Sequence, residues 1–227
     1  MILGIDTSLG TAVAVVEPDG AVRSEAASSD PLAHAEVIGL LLESALDDAM
    51  LGSVTLETSG AEAAPTPVEI THVAAGMGPG PFTGLRVGIA AARAFALARG
   101  LPVIAVPSHD AAALAVLLAD PHAPSSPFAV VTDARRREFA YTVYDGLDDD
   151  GLPVRVAEPA LSPRDALDEV LVAQGVRRCD VAAVPASMVA LAAARAVAAG
   201  RTLTGGEPLY LRAPDVTLPG APKKVGS

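Results

Sequence analysis

Tryptophan is absent from this chain, aromatic residues make up 3% of it, and cysteine occurs once, at Cys179. So few rings argue against an aromatic ligand pocket. The 51% apolar content, much of it alanine, points instead to helices packed closely through small side chains. A lone thiol excludes an internal disulfide, and no second thiol or histidine cluster stands beside it to complete a zinc site, which fits a reducing cytosol. Basic residues are also scarce: 16 Lys and Arg face 27 Asp and Glu, a net charge of −11. Such a field repels polyphosphates, so direct nucleic-acid binding by the isolated chain is disfavoured. The charge-free stretch from Val181 to Ala194 falls short of the roughly 20 apolar residues of a membrane span and is broken by Pro185, so no membrane segment is expected. Met1-Ile2-Leu3-Gly4-Ile5-Asp6 reaches a charge too early for a secretory leader and has no basic region ahead of it; it reads as a strand, and the expected location is the cytoplasm.

With 227 residues the chain can bury a sizeable core as one large domain or two small lobes. Apolar runs at 2–6, 11–17 and 21–26, separated by Thr7-Ser8-Leu9-Gly10 and Pro18-Asp19-Gly20, predict a three-strand meander. Val37, Ile38, Leu41, Leu42, Ala45, Leu46 and Ala49 recur at helical spacing and predict a helix over 34–50. Residues 51–67 lack an apolar period and read as a loop. A strand at 70–75, a loop at 76–81, a helix at 83–99 closed by Gly100 and Pro102, and a strand at 103–106 follow. A further helix leads from Pro107-Ser108-His109-Asp110 to near Asp120, and Pro121 to Pro127 marks a break. Beyond it, strands at 128–133 and 138–144 flank Ala134-Arg135-Arg136-Arg137 as a hairpin, and Asp148 to Gly151 makes a turn. Ser162-Pro163-Arg164-Asp165 has the form of a helix start, with the helix running to about Ala173. A short strand at 181–184, a helix at 187–199, an extended segment at 208–212 and a Pro-rich, partly disordered tail complete the pattern.

Gly76 to Gly88, Gly-Met-Gly-Pro-Gly-Pro-Phe-Thr-Gly-Leu-Arg-Val-Gly, is the most informative stretch. A strand feeding a Gly-rich loop and then a helix suits a phosphate cradle, but no Gly-Lys-Ser/Thr opens the helix, and a tight turn needing positive φ explains the glycines equally well. Gly84, Gly88, Ala92 and Ala96 fall four apart and form a face without bulk, flanked by Leu85, Ile89 and Phe95. That face admits a partner helix or packs on the protein's own sheet. Asp6-Thr7-Ser8 resembles the phosphate-facing hairpin of actin-like ATPases, and is also a turn-stabilising set of side-chain to backbone bonds. His34, His72, His109 and His122 are solitary, so no metal site is expected.

Together, Ile2 to Ser8, Gly76 to Gly88, Asp133-Ala134-Arg135 with Glu138-Phe139-Ala140-Tyr141, and Glu207-Pro208-Leu209-Tyr210-Leu211-Arg212 resemble the TsaB (YeaZ) family over most of the chain. Its signature loop corresponds to Gly78, Pro79, Gly80, Phe82, Thr83, Gly84 and Arg86, with Pro81 where Ser is more usual. The resemblance implies an α/β protein of the actin-like ASKHA (ribonuclease H-like) fold, two lobes each with a mixed sheet flanked by helices. The expected domains are a first lobe at 1–106, a smaller second lobe at 107–213, shortened between Leu171 and Leu203, and a tail at 214–227. It also implies a non-catalytic subunit without cofactor that pairs with the paralogue TsaD, joined by the ATPase TsaE, for threonylcarbamoylation of adenosine 37 in tRNA. TsaC supplies the activated adenylate. The isolated chain is expected to form a homodimer and not to bind tRNA. The expected interface is His34, Val37, Ile38 and Leu41 of the first helix with Gly84, Leu85, Gly88, Ile89, Ala91, Ala92 and Phe95 of the second. The catalytic paralogue's metal-binding His-x-x-x-His pair corresponds to Ser108 and Ala112, and its glycine-rich phosphate loop to Asp133 to Arg137, whose side chains oppose a nucleotide site there. The competing expectation is an actin-like ATPase or small-molecule kinase using Asp6, Thr7 and Ser8. A metal-dependent peptidase ranks last, because the chain lacks His-x-x-x-His, a Cys/His pair and a Ser/His/Asp set.

Overall fold

The computed structural model describes residues 1–30, 32–51, 69–119 and 126–212. The expected loop at 51–67 lies almost wholly outside them, as do most of the break at 121–127 and the tail at 214–227. The first sheet has the order β3-β2-β1-β4-β5 and is built from β1 (Ile2–Asp6), β2 (Thr11–Val16), β3 (Val22–Ser28), β4 (His72–Gly76) and β5 (Val103–Val106). The first three strands form the antiparallel meander read from the turns. β4 and β5 then join parallel to β1, the geometry that the intervening helices α1 (His34–Leu51) and α2 (Phe82–Arg99) permit. Gly100 closes α2 in the left-handed region, φ 65°, with its N–H capping carbonyls of the last turn.

β1 and β2 are buried on both faces, which is why they read as continuous apolar runs. Leu3, Ile5, Val13 and Val15 point to α1 and α2, while Ile2, Ala12, Ala14 and Val16 point to α3 (Ser108–Ala119) and α5 (Ala186–Ala198). α3 and α5 carry a second sheet on their far side, through Phe128, Val130 and Tyr144. That sheet has the order β10-β6-β7-β8, from β6 (Phe128–Asp133), β7 (Glu138–Leu147), β8 (Pro153–Arg155) and β10 (Arg177–Asp180), and β9 (Ala160–Pro163) also pairs with β7. α4 (Leu167–Ala173) covers its outer face through Leu167 and Leu171. The layers are therefore helices, sheet, helices, sheet, helix. α5 comes from the second half of the chain yet packs on β1 and β2 of the first sheet.

Two expected elements differ. Ser162 does not start a helix: it lies in β9 opposite Phe139, and α4 begins at Leu167 after a turn in which Arg164 N–H donates to the Arg137 carbonyl. Pairing with β7 outweighs the local start signal. The strand expected at 181–184 is instead Arg177–Asp180, because the register that pairs in parallel with Phe128 to Val131 uses those four residues, three of them charged, at a sheet edge. Among the described residues no helix is long and apolar enough to cross a membrane.

Candidate functional site

β1 ends at Asp6, and the chain turns through Thr7 and Ser8 beneath the start of α3. Asp6 is buried. Its Oδ1 accepts from Ser8 N–H at 2.7 Å and from Ser8 Oγ at 2.5 Å, and its Oδ2 accepts from Ser108 Oγ at 2.5 Å. Burial pushes its pKa above the usual carboxylate range, against the hydrogen bonds from Ser108 and Ser8 that lower it. Ser108 Oγ in turn accepts from Gly78 N–H at 3.0 Å, so one hydroxyl ties β1, the signature loop and α3 together. Both oxygens of the proposed ATPase carboxylate are thus held by the protein's own serines.

The positions expected from the resemblance to match the paralogue's metal pair have internal roles as well. Ser108 belongs to this knot, and Ala112 is buried in the core shared by the two sheets. His109 turns to the second sheet, its Nδ1 2.8 Å from Thr142 Oγ1 and its Nε2 3.0 Å from Thr132 Oγ1. Burial lowers its pKa to about 3, so the ring is neutral. His34 lies 2.8 Å from Thr11 Oγ1 through Nδ1, and His72 3.0 Å from Thr71 Oγ1; His122 is outside the described residues. Among the described residues no three His, Cys, Asp or Glu side chains gather as a metal site would require.

The small face of α2 is not free for a partner. A Cβ on Gly88 would sit 2.2 Å from Thr7 Oγ1, and one on Gly84 2.8 Å from the Thr7 carbonyl and 2.9 Å from His34 Nε2. Thr7 Oγ1 donates to the Gly84 carbonyl at 2.8 Å across the same seam. Of the expected interface residues, His34, Gly84, Leu85, Gly88, Ile89 and Ala92 are therefore interior, and only Val37, Ile38, Leu41, Ala91 and Phe95 are half-buried. The glycines let α2 approach its own β1, because that close contact leaves no room for a side chain. The sequence reading missed the opposite side of the helix. Ala90, Ala94, Leu97 and Ala98 are exposed beside half-buried Val87 and Ala91, with Leu97 85% exposed. α1 packs alongside and adds exposed Leu40 next to Val37 and Leu41, while exposed Ser44, Asp47 and Asp48 separate these from Leu51 at its end. The absence of charge at 87, 90, 91, 94, 97 and 98 was the available signal.

A cleft of about 520 Å³ opens between the signature loop, the β6–β7 turn and the 209–212 segment. Leu209 N–H donates to the Met77 carbonyl at 2.7 Å, anchoring that segment to the loop. Arg86 lies 3.6 Å from the Phe82 ring centroid, and its Nε donates to Tyr210 Oη at 3.0 Å, while the Phe82 and Tyr210 rings lie 4.6 Å apart. On the other side Arg212 pairs with Glu138 and donates to the Ala134 carbonyl at 3.1 Å. Signature residues Phe82 and Arg86 thereby reach the second sheet through Tyr210 and Arg212, while Gly78, Pro79 and Gly80 shape the turn beneath Ser8 and Thr83 faces solvent.

The family model for TsaD, tRNA N6-adenosine threonylcarbamoyltransferase, matches residues 32–152, more than half of the chain. An uncharacterized protein of Mycobacterium tuberculosis is 37% identical over 159 residues, 69% of this chain and 65% of that protein. A tRNA N6-adenosine threonylcarbamoyltransferase of Streptococcus suis is 38% identical over 108 residues, 47% of this chain and 32% of that enzyme. The chain thus spans just under two thirds of the first relative's length and about a third of the second's. The structure of YeaZ from Pseudomonas aeruginosa superposes with a TM-score of 0.67 at 21% identity, covering 92% of this chain and 99% of that one. The two mixed sheets flanked by helices accordingly share the ASKHA-like fold of YeaZ, and the chain belongs to the family of TsaD, tRNA N6-adenosine threonylcarbamoyltransferase.

Proposed function

We propose that this chain acts in tRNA threonylcarbamoylation as a non-catalytic subunit that docks on TsaD. The observation that carries the reading is the fate of the two ligand positions: Ser108 is spent on Asp6, Ala112 on the core, and the conspicuous unfilled surface is the apolar outer side of α1 and α2. Two such helices, laid against an equivalent pair, bury Val87, Ala90, Ala94 and Leu97 in a bundle whose small side chains permit close approach. Docking would act on TsaD as a shift in population toward an active arrangement of its lobes, with no bond made or broken in this chain. The same surface would join two copies when the chain is alone. TsaE would join the assembled pair in the cytoplasm.

The test is co-purification of the chain with TsaD, followed by reconstituted tRNA modification with TsaE and TsaC present. Wild-type chain is expected to comigrate and restore modification, and Leu97→Glu to lose both. Comigration that survives Leu97→Glu counts against this surface. Calorimetry of the isolated chain with ATP and magnesium is expected to show no binding; a clear binding isotherm there favours the ATPase or kinase reading instead.

A further inference from the structure

Charge is segregated across the two docking helices. Between residues 24 and 69 the chain has nine Asp and Glu and no Lys or Arg, and between 70 and 109 it has three Arg and no Asp or Glu. α1 falls in the first block and α2 in the second. On α1, Glu36, Glu43, Asp47 and Asp48 are exposed, and on α2 Arg86, Arg93 and Arg99 are. The two sets do not neutralise each other within the chain. Arg86 donates to Tyr210 Oη, Arg93 donates to the Gly206 carbonyl, and Arg99 lies 5.2 Å from the Phe95 ring centroid; none of the three meets a carboxylate among the described residues. Those bonds hold Arg86 and Arg93 in place and leave the remaining donors of each guanidinium fork for a partner.

The spacing matches as well. Glu36 and Glu43 are seven residues apart, and so are Arg86 and Arg93. Seven residues make close to two full turns, so each pair lies along one line of its helix, with a rise of roughly 10.5 Å between its members. α1 joins β3 to β4 and α2 joins β4 to β5, all three strands running one way, so the two helices also run in one direction. Stacking two such pairs uncrossed, α1 on α1 and α2 on α2, sets acid against acid and guanidinium against guanidinium. A twofold axis between the helices instead lays α1 over α2 of the other copy, and both lines then meet opposite charge at one spacing, twice over. The net charge of −11 opposes two copies at long range, but that field is screened beyond about 8 Å at physiological ionic strength, and pairs in contact are not.

We propose that the acidic line of α1 and the basic line of α2 decide which helix lies over which at the docking surface, and that its occupant in the isolated chain is a second copy, crossed so that Glu36 and Glu43 meet Arg86 and Arg93. The proposal rests on the reading that α1 and α2 dock. Val87, Ala90, Ala94 and Leu97 supply the apolar contact, and the charges beside them select the pairing.

The experiment is analytical ultracentrifugation of the full chain, alone and in mixtures, at near-physiological salt. The wild type is expected to dimerise and Leu97→Glu to stay monomeric. Glu43→Arg and Arg93→Glu should each weaken the dimer about tenfold or more, since every change acts twice across the twofold axis. Both changes in one chain should restore association to within about threefold of wild type. Glu43→Arg mixed with wild type leaves Arg93 and its bond to Gly206 untouched, and crossed packing predicts a mixed dimer of intermediate strength. A mixed dimer tighter than wild type overturns the proposal in favour of uncrossed packing, as does a double variant no stronger than either single one, or a wild type that stays monomeric. A dimer that survives Leu97→Glu overturns the docking surface together with the proposal, whereas a failed charge swap with Leu97→Glu still monomeric overturns the crossed pairing alone.

Discussion

The two sides of α2 are made of nearly the same residue types and do opposite things. Toward β1, Gly84, Gly88, Ala92 and Ala96 bring the helix so close that Thr7 bonds the Gly84 carbonyl; toward solvent, Ala90, Ala94 and Ala98 leave a smooth strip next to Leu97. Smallness alone does not identify a docking surface. What separates the sides is whether the space that a larger side chain needs is already filled.

The strongest way to break the contrast is Gly88→Leu. Its Cβ alone would collide with Thr7 Oγ1 at 2.2 Å, so denaturant unfolding should show a loss of about 3 kcal/mol or more, and any failure to bind a partner would follow from misfolding. The closed condition extends to α3, where the His109 ring is kept neutral at a pKa of about 3. The unfolded ring takes up a proton near pH 6.5, so stability is full above that pH and falls as pH drops from about 6.5 toward 3, at up to ~1.4 kcal/mol per pH unit. Asp6 and Asp110, both raised by burial, act in the opposite sense above the usual carboxylate range. Comparing pH–stability profiles of the wild type and His109→Gln therefore isolates the histidine: on acidification from pH 6.5 the variant should lose less stability than the wild type. Thr7→Val removes only the hydroxyl bond across the α2 seam and should cost about 1 kcal/mol in thermal or chemical melts. On the open side, Leu97→Glu should leave unfolding within about 0.5 kcal/mol of wild type, since the residue is 85% exposed. A large destabilisation there would show that the outer strip is not a free surface.

Much of the fold was legible in the sequence because local signals and burial agree. The meander announces itself by turns between apolar runs, and α1 and α2 by period and by Gly100. The Asp6-Thr7-Ser8 turn bonds are also present, with a tertiary partner, Ser108, that no local pattern reveals. The misreadings arise where partners distant in sequence decide. Ser162 is drawn into β9 by Phe139, and the largely charged Arg177 to Asp180 become a strand because β6 offers an edge; of the two packings open to the small face of α2, Thr7 decides the inward one. The cleft escaped because its walls come from five separate stretches of chain.

Helices α3 and α5 are gripped by both sheets through one unbroken apolar cluster that runs from Ile2 to Phe128 and Tyr144. A hinge needs a layer along which its halves part cheaply, and here the dividing layer joins that apolar cluster to buried polar ties, His109 with Thr132 and Thr142 and Tyr144 with Asp110. Parting the two sheets would expose that surface and break those bonds together, which ties the width of the gap beneath the β6–β7 turn to the packing of α3 and α5.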